Sequence, residues 1–478
     1  MIWLLALAVG IVLADSAIVT LALPEVLRDF DAQVSGVSWV LTAYNLVLGL
    51  AAVPAARGSV TTHGAARTGV VGAAIFAAAS AVCGVAPDLG WLIGARVVQA
   101  LGGAFVITAA LELLVAATGS SRTGAARWAT AGVIGAGIGP VVGGLLTEAL
   151  SWRAIFLVQV PLVLLAIPAM RRAADRSADP AWAAEAETST HPFPLDRTDR
   201  PRVAANVALG LLSAALTAAL FLLVLLLIEG WRRTPVAAAL TVTVIPLAAF
   251  AAGAVARRAQ AGTQGEAIAG AILVAGGLTA LAILPDANLA WTIAPQVLVG
   301  LGLGLTVESL TAFALHDRFP RALQGGWTIA ARHLGIVVGL LILTPLFVAD
   351  LDRAQGRAEE SITALVIDAP IAASEKLELA AGLQRQLTSE AGRVPDLAPA
   401  FNRLDVTPDD AAEVAELQAS MNDQLERAAT HAFQRAFLAG GILALLALIP
   451  ALLLRDTARD REPPRADPDA PTLVRVPS

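Results

Sequence analysis

Twelve separate stretches of this chain are each apolar enough and long enough to cross about 30 Å of hydrocarbon. They fall near 2–23, 36–56, 68–87, 91–117, 127–148, 153–170, 204–228, 236–256, 265–284, 291–314, 327–349 and 432–454. No other feature constrains the fold as strongly, because a backbone in lipid must satisfy its own hydrogen bonds and a helix does so within one segment. With 56% hydrophobic and only 15% charged residues, and a mean hydropathy of +0.70, the chain cannot hide its apolar surface in a water-soluble core. The expected class is an all-α integral membrane protein. The first stretch has no basic residues ahead of it and carries Asp15 within its apolar run, so it reads as a mature helix rather than a signal peptide. The single cysteine, Cys83, lies in an apolar segment and leaves no intrachain disulfide or thiol metal site to be built.

The order of the stretches divides the chain. Residues 1–170 hold six spans and read as an N-terminal six-helix bundle, and 171–203 is a polar linker with six arginines among Pro, Asp, Glu, Ser and Thr. Spans seven to eleven fill 204–349, a polar insert occupies 350–431, span twelve 432–455, and 456–478 reads as a disordered tail. With the N-terminus in the cytoplasm, the inner connections hold fourteen arginines: the six of the linker and Arg57, Arg67, Arg122, Arg127, Arg257, Arg258, Arg318 and Arg321. The short outer loops hold four, Arg28, Arg153, Arg232 and Arg233. This bias places both termini and the linker in the cytoplasm of a multi-pass cell-membrane protein.

Between 350 and 430 there are 16 acidic and 7 basic side chains, which more than accounts for the chain's net charge of −6. Leu377, Leu379, Leu383 and Leu387 have helical spacing, and Thr407-Pro408-Asp409-Asp410 is a helix start with cap, proline and early acids. From there Ala411, Val414, Leu417, Met421 and Leu425 run without a breaker into the last span. A helix over 408–454 would be roughly 70 Å long. The insert is therefore either an acidic spacer or an extracytoplasmic helical hairpin that shields a large or lipidic substrate or docks a protein partner.

One apolar span is a poor helix on its own terms. Gly132 to Gly144 contains Gly135, Gly139 and Gly143 on one side, Gly144 beside them, and Pro140 in the interior. Glycine costs about 1 kcal/mol and an interior proline about 3 relative to alanine, so neighbours must pack closely on the bare face. That face is either a tight helix seam or a surface on which the two bundles slide. A weak internal echo, Ala95 to Ala104 laid on Pro295 to Gly304, joins the fourth span to the tenth and fits two repeated halves.

These residues carry a family resemblance. Gly135-x-x-x-Gly139-Pro140-x-x-Gly143-Gly144 resembles the antiporter motif of the major facilitator superfamily. Trp152-Arg153-x-x-Phe156 with Pro161 is similar to the segment just C-terminal to that motif in the multidrug:proton antiporter branch typified by EmrB/QacA. Asp15 to Pro24, Trp39 to Tyr44, Leu92-x-x-x-Arg96-x-x-Gln99 and Gln324 to Gly339 resemble that branch's first, second, fourth and eleventh helices. The resemblance implies a major facilitator fold of two six-helix bundles, here with an outer helical extension between helices 11 and 12. In two places the chain departs from it. The loop after the second span keeps only Arg67 of its usual charges, with Arg57, Thr61 and Thr62 at the other signature positions, and fourteen spans are common in the branch.

Ionisable groups in hydrocarbon need a reason, since an Asp at a helix centre costs about 2.5–3.5 kcal/mol on insertion scales. Asp15 lies roughly 12 Å and Arg96 roughly 8 Å from the outer ends of their helices at 1.5 Å per residue, so the two can meet. Asp15 is the candidate proton-linked carboxylate and Arg96 its modulator, a static ion pair being the other reading. Glu308, Arg332 and His333 are expected to cluster at the inner side as a gate or packing group. Glu112 is similarly placed, and Tyr44 and Asn45 are candidates for lining the cavity. No nucleotide loop, zinc spacing or nucleophile motif occurs, so the reading is neither an enzyme nor a cofactor protein, and no nucleic-acid partner is expected. The expected function is proton-coupled export, by alternating access, of hydrophobic or amphipathic small molecules. Lipid or glycolipid export is the alternative, and a non-transporting sensor or scaffold with an outer partner site is the reading from another class. Protons, membrane lipids and a small hydrophobic or lipidic substrate are the implied partners.

Overall fold

Helix boundaries follow the capping chemistry of the short loops. In the computed structural model, which describes residues 1–176, 200–259, 262–315, 321–369, 373–389, 397–403 and 411–454, the first five spans are α1 (Ile2–Asp29), α2 (Val34–Gly58), α3 (Thr62–Gly84), α4 (Leu89–Thr118) and α5 (Ser121–Ala149). Thr61, Asp88 and Ser120 each accept a hydrogen bond from an orphan amide in the first turn of the next helix, at Gly64, Trp91 and Thr123. Thr61, which stands where a loop charge is usual, thus serves as the α3 cap. Gly119, at φ +64°, terminates α4 in the left-handed conformation that glycine adopts without strain.

The remaining spans are α6 (Trp152–Ala173), α7 (Arg200–Gly230), α8 (Pro235–Ala254), α9 (Thr263–Ala282), α10 (Leu289–Leu315), α11 (Arg321–Asp368) and α12 (Ala411–Leu452). Among the described residues every regular element is helical, and twelve helices are long and apolar enough to cross a membrane. Most of the linker expected at 171–203, the helix start at 407–410 and the tail from 456 lie outside the described residues.

Close backbone packing is repeated in the two halves. A Cβ on Gly135 of α5 would collide with the carbonyl oxygen of Gly10 on α1, and one on Gly335 of α11 with that of Gly210 on α7. One turn on, Gly139 faces Ala14 and Gly339 faces Ala214. Likewise Gly102 of α4 meets Gly72 of α3, and Gly302 of α10 meets Gly270 of α9. Small residues at these crossings let backbones approach, the usual source of helix association in lipid. Their recurrence at a spacing of about 200 residues identifies a structural repeat, and the correspondence of Gly102 with Gly302 is the one that the sequence echo contains.

Exposed tryptophans lie near the helix ends. Trp3 and Trp327 sit towards the face that carries Met1, here the terminal face, and Trp39, Trp91 and Trp291 near the opposite one. Such belts lie at membrane–water boundaries.

On that opposite face α11 continues without interruption to Asp368, a helix of 48 residues and about 72 Å. The helix Ala373–Ser389, the short turn Ala398–Phe401 and the start of α12 complete an extension with its own apolar core, in which Val366, Leu379, Leu383, Phe401, Val414, Leu417, Met421 and Leu425 are buried. Leu377 departs from the expected pattern, being 74% exposed, and Ala411 is exposed as well. Helical spacing is shared by both edges of a wide apolar stripe, and Leu377 is at the solvent edge. The extension is fixed at its base: Trp231 Nε1 donates to Thr430 Oγ1 at 2.9 Å, Phe347 stacks on Phe433 at 4.2 Å, and Asp350 accepts from Arg353 and Arg435.

Candidate functional site

Five helices of the first half bring polar groups and one ion pair into a space closed to solvent. Asp15 on α1 and Arg96 on α4 are fully buried, and Arg96 Nη1 lies 2.5 Å from Asp15 Oδ2. Bringing two charges out of water costs several kcal/mol per ion unless further hydrogen bonds satisfy them. Here they do so in part. Gln159 of α6 donates to Asp15 Oδ1 at 3.1 Å, Arg96 donates through Nη1 to Gln99 Oε1 at 2.7 Å and through Nε to the Val40 carbonyl at 3.3 Å. The Tyr44 ring lies 3.9 Å beneath the Arg96 guanidinium, a cation–π contact, while its hydroxyl donates to the Val12 carbonyl.

Gln99 is the hub. Its Nε2 has two protons and three acceptors in reach, Ser80 Oγ at 2.8 Å, Gln159 Oε1 at 3.3 Å and Asp15 Oδ1 at 3.4 Å. Arg96 Nη2 is buried without a partner. The network thus holds two N–H donors too many at Arg96 Nη2 and one acceptor too many around Gln99. Neither glutamine stands among the charged candidates of the sequence, because an amide in an apolar run leaves no charge signal.

The other candidates divide between the helix contacts that join the halves. Asn45 on α2 and His333 on α11 meet through Oδ1 and Nδ1 at 2.7 Å, with Ser16 of α1 donating to the same Oδ1 at 3.4 Å. Glu112 Oε1 accepts from the amide of Ala322, in the first turn of α11, at 2.7 Å. Towards the extension face, Glu148 accepts from the amide of Val236 in the first turn of α8, and Arg28 pairs with Glu229, both at 2.8 Å. Each face therefore has a carboxylate of the first half on the free amides of a helix from the second, where the helix dipole favours negative charge.

Two expectations are corrected by this geometry. Glu308, Arg332 and His333 do not converge as expected: His333 turns to Asn45 on α2, and Glu308 is exposed one turn beyond the contact of Gly304 with α8. Neighbouring positions on one helix, 332 and 333, point about 100° apart, so the contact of His333 with Asn45 does not carry Arg332 with it. The glycine stripe is also not a surface between the halves. Gly135, Gly139 and Gly143 all face α1, whereas Gly144 and Gly137 approach α8, at Ala239 with Pro235 and at Pro246 with Phe250. Pro140 is buried within α5. Trp152 and Arg153, just beyond the stripe, bind the end of α1: both donate to Asp29, at 3.1 and 2.7 Å.

A helical membrane protein with repeated halves and a buried ion pair between α1 and α4 has a recognisable class. The Major Facilitator Superfamily profile matches residues 5–340, and the chain belongs to that family of membrane transporters. It is 34% identical over 180 residues to the multidrug efflux pump LfrA of Mycolicibacterium smegmatis, a match covering 37% of this chain and 35% of that protein. Drug efflux pump JefA of Mycobacterium tuberculosis is 34% identical over 178 residues, 36% of this chain and 35% of the relative. The chain thus spans about a third of the length of these relatives. A longer match, 29% identical over 364 residues, covers 64% of this chain and 75% of the lincomycin resistance protein of Streptomyces lincolnensis. Among solved structures, a bacterial homolog of the human lysosomal transporter Spinster in an inward-facing, occupied conformation superposes with a TM-score of 0.60 at 14% identity, covering 97% of this chain and 98% of that one. The xylose transporter XylE from E. coli, partially occluded and inward open, gives 0.56 at 12% identity over 71% and 89%. These two share the fold.

Proposed function

We propose that the protein exports hydrophobic or amphipathic small molecules against an inward flow of protons, by alternating access, with both termini in the cytoplasm. The observation that carries this reading is the buried Asp15–Arg96 pair with its over-subscribed amides. A carboxylate beside a guanidinium favours the charged form, burial favours the neutral acid, and opening to either side changes the second factor. Proton uptake at Asp15 releases Arg96 Nη1 from one of its two acceptors, so protonation and helix position are linked. Opening the extension face breaks Arg28–Glu229 and Glu148–Val236, and opening the terminal face breaks Glu112–Ala322 and Asn45–His333. Each set is worth a few kcal/mol at most, since surface ion pairs contribute about 0–1 and charged hydrogen bonds about 1.5–3 kcal/mol. Such values suit a two-state transition that a proton or a substrate can bias. Similarity to drug efflux pumps supports the substrate class.

Export of a lipid is a second reading, supported by the extension anchored to the end of α7 through Trp231 and Thr430. One experiment addresses both. In proteoliposomes with an imposed pH gradient, the protein is expected to concentrate dyes, and Asp15→Asn to abolish gradient-driven uptake while leaving the protein folded. Unchanged coupling in Asp15→Asn removes the assignment, and transport of labelled lipid without any dye favours the second reading.

A further inference from the structure

Arg332 is the interior charge that the proton site and the helix contacts leave over. The lipid-facing side of α11 is marked by exposed Trp327, Val338, Leu341 and Ile342. At 100° per residue, Arg332 lies far round the helix from that side. Its own face carries Gly325 seven residues before and Gly339 seven after, which meet Leu111 of α4 and Ala214 of α7. Arg332 therefore sits over the space between the first bundle and the second, and it is only part-buried there. The acids and polar groups of the site and of the helix contacts are already matched: Ser16 and His333 both bond to Asn45, Asp15 is held by Arg96, and Glu112 by the start of α11. Among the described residues no ion pair or hydrogen bond reaches the Arg332 guanidinium. An arginine at this depth costs about 2.5–3.5 kcal/mol on insertion scales and is retained where a partner or a pathway needs it.

We infer that the missing counter-charge arrives with the cargo: the space between the bundles takes an amphipathic anion, a hydrophobic body bearing a carboxylate, sulfonate or phosphate, with Arg332 as its anchor. The guanidinium suits planar, two-oxygen acceptors, and a cationic substrate meets no unpaired acid at this point. The inference rests on the export reading for its transport meaning, but binding tests it separately. The probe is dansylated undecanoic acid, titrated against the purified full chain and followed by fluorescence, with its uncharged methyl ester and ethidium as comparisons. Arg332→Gln is expected to weaken binding of the acid by about tenfold or more, the scale of a charge-assisted hydrogen bond, and to leave ester and ethidium within about twofold, with Arg332→Lys retaining most of the affinity for the acid. Competition by phosphatidylglycerol but not phosphatidylcholine identifies a lipid headgroup as the source of the anion, and competition by laurate alone a free acid. Equal loss for all three probes in Arg332→Gln, with Arg332→Lys no better, overturns the inference and makes Arg332 a gating or folding residue. So does unchanged acid binding. Arg332-dependent binding in a protein that shows no pH-driven transport sinks the export reading and leaves the anion site standing.

Discussion

Gln159 shows how much of the buried Asp15–Arg96 network rests on uncharged side chains. Its amide donates to the Asp15 oxygen that Arg96 does not hold, so Gln159→Leu strips a donor from a buried carboxylate, a loss of about 1–3 kcal/mol. The expected result is a lower midpoint of thermal unfolding in detergent, and in a double-mutant cycle with Asp15→Asn the two losses are expected to fall short of their sum, because they share one interaction. Additive losses mean that the amide acts elsewhere. Asp15 and Arg96 are visible in the sequence, since charges in apolar runs stand out and helix depth brings them to similar levels. Arg332 and His333 are not separable there, because adjacency in sequence says nothing of which helix each will face. Glutamines give no signal beyond their place in a motif.

At the scale of the element, the glycine stripe of α5 is legible as a close-packing surface and its partner is not. Periodicity defines a side of a helix, whereas the partner depends on which of eleven other helices lies there. The structure gives the side to α1, and the matching Gly335–Gly210 contact shows that this is a property of each bundle and not of the boundary between them. Substitution should therefore divide by position. Gly135→Leu places a side chain against the Gly10 backbone and is expected to prevent stable folding, seen as loss of the monodisperse peak on size exclusion. Gly144→Leu, against Ala239 and Pro235 of α8, is expected to fold and to slow transport by obstructing closure at the extension face. Folded, active Gly135→Leu would contradict the packing described.

For the whole molecule, twelve spans and two repeated halves emerge from apolar length and from one glycine-rich echo, both of which depend on composition and not on fine geometry. The extension is less legible: its final helix is continuous enough to read, but its core depends on how three helices turn towards one another, and Leu377 lies on the solvent side. Its most consequential feature is that α11 leaves the second bundle unbroken, from Arg321 to Asp368. Whatever tilts that bundle swings the tip of the extension like the needle of a gauge. A tilt of about 15°, a size that rigid-body rotations reach, acting over the roughly 21 Å between 354 and 368, displaces the tip by about 5 Å. Fluorophores on Asp368 and on Gly90, at the start of α4, are expected to change transfer efficiency when substrate is added, and a constant signal during turnover would mean that the needle and the bundle are not rigidly joined. A working cycle inside the bilayer would thereby be displayed, enlarged, in the water outside it.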